Sequence, residues 1–347
     1  MAERMHLAAH GAHPLNASWA AMGRSLGASS TAAEDAALAA LLSKFRGRSL
    51  LLIGDSSLRN QFMQLLRVGL SLDRSVPVAQ SAVGHAYSGS LSLPNQIVRA
   101  DKPDSSNAFW GGFSWLAFST PANATLYYAK VWGCAKLSSV IRRMRPVAHR
   151  HSQRSGGLGG WPPHAVLWNF GLHLLHVYPA RPVATAAVQC AQHYEELVDA
   201  SARALRHALP RALLYYRTTN AVCDARFEGS WAVAARAYHC ANPGPWMAKR
   251  CLAEERLTRV QSACRSRYNF SLLECSSTFM DEANTRAQRL RARRTLREHP
   301  AQVQIFDAFA VTERRCEATV DGRHYPRLLA TLNQKWLAQV TEALVAP

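Results

Sequence analysis

A serine hydroxyl is a poor nucleophile until a base takes its proton, and a histidine does this well when a carboxylate fixes its tautomer. The chain carries these residue types in two short stretches. One is Gly54-Asp55-Ser56-Ser57-Leu58-Arg59-Asn60-Gln61, directly after the apolar run 49–53. The other is Asp321-Gly322-Arg323-His324-Tyr325, just ahead of the last helical stretch. Together they offer Ser56 as nucleophile, His324 as general base and Asp321 as the group that orients it. A third stretch, Trp168-Asn169-Phe170-Gly171-Leu172-His173, also follows an apolar run. Asn169 supplies an amide donor suited to a developing oxyanion, and Gly171 lets a substrate approach the backbone. Each stretch has a plainer account as well. Asp55 or Ser56 would serve as a helix N-cap, Asp321 as a capping residue beside a surface histidine, and Asn169 and Gly171 as turn residues. His173 and His176 have no carboxylate near them in sequence, so a metal site is not expected. Gly23-Arg24-Ser25-Leu26-Gly27 fits a nucleophile elbow literally. That motif needs a strand before it and a helix after it, and 14–22 does not read as a strand.

The elements that must position these residues follow from periodicity and punctuation. Residues 1–33 are rich in Ala, Gly, Ser and His without a sustained period, and read as a flexible arm. Helices are expected near 34–45, 57–70, 188–209, 247–265, 278–297 and 325–344, and strands near 49–53, 115–119, 126–131, 165–168, 212–217 and 303–306. Leu58, Phe62, Leu65 and Leu66 share one face of the helix that follows Ser56. Strands alternating with long helices predict a three-layer α/β/α sandwich around a mostly parallel sheet, formed by residues 34–347 as one catalytic domain. Ligands on such sheets bind beyond the carboxyl ends of the strands, where Ser56, Asn169 and His324 all fall. No internal repeat is visible.

Composition narrows the setting. The 347 residues are 48% hydrophobic and 18% charged, as in ordinary globular chains, and the formal net charge is +18. Such a charge favours acidic partners, anionic glycans among them, although Arg is abundant throughout. Basic runs such as Arg142-Arg143-Met144-Arg145 and Arg291-Ala292-Arg293-Arg294 lack the interleaved aromatics that stack on bases, so nucleic acid is not an expected partner. The eight cysteines form no CxxC pair, which argues against a zinc ribbon. Their even number, with sequons at Asn16, Asn123 and Asn269, suits the oxidising lumen of the secretory pathway. No window is long and apolar enough to span a membrane, and the first 30 residues do not read as a signal peptide.

The stretch Gly54-Asp55-Ser56 with Arg59-Asn60-Gln61 resembles the GDS block of the PC-esterase group of SGNH/GDSL proteins. It is most similar to that of the plant trichome-birefringence-like polysaccharide O-acetyltransferases. Asn169-x-Gly171 resembles their N-x-G-H block, with His173 one residue late. Arg217-Thr218-Thr219 with Phe227-Glu228-Gly229-Ser230-Trp231 is similar to their R-T and F-x-G-G-x-W stretches, and Asp321-x-x-His324 to their D-x-x-H block. The resemblance spans roughly residues 50 to 326, with the blocks in family order. It implies an SGNH-hydrolase-like fold and a Ser56–His324–Asp321 triad. It also implies an oxyanion hole from the Ser56 N–H, Asn169 and a block-two glycine, for which Gly84 is the candidate. Arg59, Asn60, Gly171, His173 and Arg217 would face substrate. Arg59 would bind an anionic group of donor or glycan, or else partner Asp55. The expected activity is acyl, chiefly acetyl, transfer to a glycan through acyl-Ser56, or hydrolysis of acylated carbohydrate by the same residues. A glycan-binding module without catalysis is the remaining alternative. No bound cofactor is expected, the acyl donor entering as co-substrate, and the implied compartment is the Golgi lumen or the exterior. The family's Cys-Asp stretch ahead of the GDS block and its membrane anchor have no counterpart here.

Overall fold

A strand made only of apolar and small residues is stable where both of its faces are covered. The computed structural model of the chain describes residues 30–69, 96–100, 114–119, 124–131, 137–154, 160–170, 172–174, 194–223, 226, 282–319 and 322–345. Its strands, in chain order, are β1 (Ser49–Gly54), β2 (Gln96–Ala100), β3 (Ser114–Ser119), β4 (Thr125–Lys130), β5 (Ala165–Trp168), β6 (Leu213–Arg217) and β7 (Val303–Phe306). They form one sheet of order β2-β3-β4-β1-β5-β6-β7, with β1 at its centre and buried along its whole length. The five strands from β4 to β7 in that order are parallel, while β2 and β3 extend the β4 edge in antiparallel fashion.

The helices are α1 (Ala32–Ser43), α2 (Ser56–Gly69), α3 (Leu137–Arg154), α4 (Tyr194–Ala208), α5 (Glu282–Leu296), α6 (Ala308–Thr312) and α7 (Leu329–Val345). Alternate residues of β1 supply two separate cores. Leu50 and Leu52 pack with Leu38 of α1, Phe62 of α2 and Trp336 of α7. Leu51 and Ile53 pack with Val140 of α3, Val198 of α4 and Leu296 of α5. Helices thus cover both faces of the sheet, the layering expected of an α/β chain of this pattern.

Most expected elements are present with small shifts. Helix α1 begins at Ala32 rather than near 34, because Thr31 and Glu34 form a capping box. Asp35 then receives Arg67 at 2.9 Å and Gln64 at 3.0 Å, tying α1 to α2. The face shared by Leu58, Phe62, Leu65 and Leu66 is buried in the first core. The final helix begins at Leu329, after the 3-10 turn Pro326–Leu328. Strand β2, helix α3 and the short helix α6 are additions to the expected set. In α3, Leu137, Val140, Ile141 and Met144 are buried at helical spacing, while Arg142, Arg143 and Arg145 face outward. The expected helix at 247–265, Ser25, the asparagines of the three sequons and most of the arm 1–33 lie outside the described residues. Among the described helices, none is long and apolar enough to cross a membrane.

The second basic run belongs to the packing of α5. Arg291 and Arg294 both engage Glu195 of α4, while Arg289 and Arg293 converge on Asp307, the N-cap of α6. Hydrogen bonding from Arg291 holds the Glu195 carboxyl at about 2, well below its usual 4.5, with further help from Arg294. A folded-state value below the unfolded one means that this contribution is complete above about pH 4.5 and lost as pH falls toward 2. Glu195→Gln should therefore lower the melting temperature at neutral pH and flatten its decline across that acidic window. Thermal melts of both proteins between pH 2 and 7 check this.

Candidate active site

The end of β1 leaves the sheet interior at Gly54, and α2 starts two residues later. Asp55 makes the turn. Its Oδ1 accepts the Ser57 N–H at 2.8 Å, which caps α2, and its Oδ2 accepts the Leu172 N–H at 3.2 Å beyond β5. Asp55 is therefore the N-cap, which leaves Ser56 as the first residue of the helix with its hydroxyl available for another partner. That partner is His324: Ser56 Oγ lies 2.6 Å from His324 Nε2, across 268 residues of sequence. With Nε2 unprotonated, the serine hydroxyl donates to it, the arrangement needed for proton transfer to a general base.

The neighbouring strand supplies Asn169. Its main-chain N–H donates to Ile53 O at 3.0 Å, one step beyond the last β1–β5 pair, Ile53 with Trp168. The Asn169 side chain is 1% exposed, and neither its Oδ1 nor its Nδ2 has a hydrogen-bond partner among the described residues. It lies against Gly54, where an added Cβ would stand 2.1 Å from Asn169 Oδ1 and 2.7 Å from Leu58 Cδ1. Gly54 is thus the residue that lets the amide sit beside the turn that leads to Ser56. Tyr128 completes the turn from β4, its hydroxyl donating to Gly54 O at 3.1 Å and Asp55 O at 3.2 Å.

His324 is held by the segment that follows β6. Thr218, Thr219, Asn220, Ala221, Val222 and Cys223 are all buried. Cys223 N–H donates to Gly322 O at 2.7 Å, Asn220 Nδ2 to Arg323 O at 3.0 Å, and Tyr325 Oη to Ala221 O at 2.8 Å. Gly322 has φ +77°, a conformation that favours glycine. A disulfide joins Cys223 to Cys316 and fastens the same platform to the chain leading into the histidine loop. The platform is itself seated by threonines: Thr218 Oγ1 donates to Asp307 Oδ1 at 3.1 Å, and Thr312 Oγ1 accepts the Ala221 N–H at 2.9 Å.

The other expected site residues are distributed unevenly. Arg59 is half-buried one turn beyond Ser56, close enough to Lys130 to act on it. Burial first, and Arg59 second, pull the Lys130 ammonium down to about 8, and Lys130 is the β4 residue paired in register with Gly54. Asn60 is 4% exposed and Arg217 1% exposed, so both are enclosed by protein. Arg217 spends its guanidinium on Gln61 Oε1, Thr218 O and Asn220 Oδ1. Asp321, Gly171, Gly84 and the side chain of His173 lie outside the described residues. Asn220 drew notice in the sequence only as a residue standing where the similar family's block has serine, and Tyr128 and Thr312, whose hydroxyls reach the site from distant elements, left no signal there. Among the described residues, no three metal-binding side chains cluster.

Compared with known proteins, the chain matches no family model, and no curated sequence matches it.

The 2.6 Å bond makes Ser56 the residue that a fluorophosphonate should modify. Labelling should vanish in Ser56→Ala, fall by about two or more orders of magnitude in His324→Ala, and persist in Ser25→Ala. Peptide mapping of the labelled protein reads all three. Label on a serine other than Ser56 would sink the assignment.

Proposed function

We propose that the chain is a serine-dependent O-acyltransferase that acetylates a glycan through an acyl-Ser56 intermediate, within an SGNH-hydrolase-like fold of the PC-esterase group. The observation that carries this reading is the Ser56–His324 hydrogen bond at the N-terminus of α2. Ser56 Oγ attacks the carbonyl carbon of an acyl donor as its proton passes to His324 Nε2. The Ser56 N–H and Asn169 Nδ2 hold the oxyanion, assisted by the positive end of the α2 dipole. The leaving group departs with the proton from His324. A sugar hydroxyl then gives its proton to His324, attacks the acyl carbon and restores Ser56. Asp321, three residues before His324, orients the imidazole in this scheme. Arg59 and the general basic character of the chain favour an acidic glycan as acceptor, and the Cys223–Cys316 disulfide suits the secretory lumen.

Asn169 gives this reading a signature. A buried polar group without a partner costs about 1–3 kcal/mol, a cost that is recovered when an oxyanion arrives. Asn169→Ala should therefore leave the melting temperature unchanged or raise it, while kcat falls by about 10²–10³-fold. Thermal melts and turnover, measured together, test this. A loss of activity that merely follows a loss of stability would count against an oxyanion role.

Transfer and hydrolysis share acyl-Ser56 and differ in what resolves it, so the deciding experiment partitions the product. The protein is given an activated acetyl donor with and without acidic oligosaccharides, and acetylated sugar and free acetate are both followed. Acetylated sugar that rises at the expense of acetate is the expected result. Acetate release indifferent to every sugar, together with deacetylation of acetylated glycans, would make the protein a carbohydrate esterase.

A further inference from the structure

Arg217 ends β6 with its side chain wholly inside the protein, and every contact of its guanidinium leads to one half of the candidate site. On one side, Nε donates to Gln61 Oε1 at 2.5 Å, and Gln61 lies on α2, whose first residue is Ser56. Gln61 is fixed in turn from α7: its Nε2 donates to Asn333 Oδ1 at 3.2 Å, and Asn333 Nδ2 donates to Gln61 O at 3.0 Å. On the other side, Nη2 donates to Asn220 Oδ1 at 2.6 Å, and Asn220 Nδ2 donates to Arg323 O at 3.0 Å, the carbonyl directly before His324. Nη1 donates to Thr218 O at 3.1 Å and holds the platform itself. The chain of contacts from α2 through Arg217 to the histidine loop is unbroken.

A cation is an expensive choice for this position. Burial pulls the guanidinium down to about 10, and the nearby Asp55 carboxylate opposes that pull. A lysine could carry the same charge but offers no planar fork with donors aimed in two directions at once. We infer that Arg217 is a positioning residue: by gripping Gln61 on the nucleophile helix and Asn220 under the base loop, it sets the separation of Ser56 and His324. This rests on the reading of Ser56 and His324 as nucleophile and base, and replaces the expectation that Arg217 touches substrate.

Two variants separate the links. Arg217→Lys keeps the charge and loses the fork. Asn220→Asp keeps an acceptor for Arg217 and replaces the donor to Arg323 O with a repelling oxygen. In either folded variant, the maximal rate of fluorophosphonate labelling at Ser56 should fall by up to about 10²-fold, as expected of a reacting pair displaced by about 1 Å. The probe concentration giving half that rate should stay constant. The pH profile should change too, from a plateau to a continued rise with pH, because hydroxide takes over from a displaced base. Histidine ¹⁵N NMR reads the Ser56–His324 bond independently of reactivity, and the His324 Nε2 signal should move toward that of a free imidazole. Wild-type labelling, pH profile and ¹⁵N shift in a folded Arg217→Lys or Asn220→Asp protein would overturn the inference. A wild-type protein that takes no probe but loses the His324 ¹⁵N signature in both variants would uphold the strut and remove the serine-enzyme reading.

Discussion

Strand β1 gives Leu50 and Leu52 to one core and Leu51 and Ile53 to the other, so a slip of one residue would exchange the two sets. Parallel partners on both sides, β4 and β5, lock that register further. The position of Gly54 follows from this sorting of aliphatic side chains. It emerges level with Lys130 and beside Asn169, and the turn it permits delivers Ser56 to the head of α2. The place of Ser56 beyond the end of β1 is thus set by hydrophobic burial, and only its fine adjustment is polar.

That adjustment is made by a buried polar layer at the end of β6. Polar groups inside a protein are tolerated when each finds a partner, and such a network then holds one geometry. Arg217, Thr218, Thr219 and Asn220 meet this condition through Gln61, Asp307, Gln288 and the Arg323 carbonyl. Asn169 differs in kind. Its amide is as deeply buried, yet no described residue satisfies it. Rigid surroundings next to an unsatisfied amide donor is the pattern expected of a preorganised site, where reorganisation has been completed before substrate arrives.

The sequence was informative where the governing interactions are local. The apolar run of β1, the turn at Gly54 and the amphipathic face of α2 are written in consecutive residues, and the structure reproduces them almost residue for residue. Helix α3 was hidden because its apolar positions are interrupted by a dense basic run and Pro146, which obscure the 3.6-residue period. Strand β2, QIVRA, has only Ile97 and Val98 as an apolar pair between Gln96 and Arg99, and depends on pairing with β3. At the site, Ser56, Asn169 and His324 could be picked out because Ser56 begins α2, Asn169 directly follows β5, and His324 lies two residues before the turn that leads into α7. The role of Arg217 could not, because it is defined by Gln61, 156 residues away, and by an asparagine that faces both ways.

The platform also joins two parts of the chain that lie far apart in sequence. Val222 donates to Thr285 Oγ1, 63 residues further on, and Thr219 bonds Gln288 from the same turn of α5. Val222 and Thr285, one at each end of this separation, are thereby fixed by a buried contact beside the histidine loop. Lengthening a segment closed by such a contact costs little, since each doubling adds only about 0.6 kcal/mol of closure entropy. A change in length between Val222 and Thr285 would therefore cost the fold little, because the Ser56–His324 contact is held by other parts of the chain.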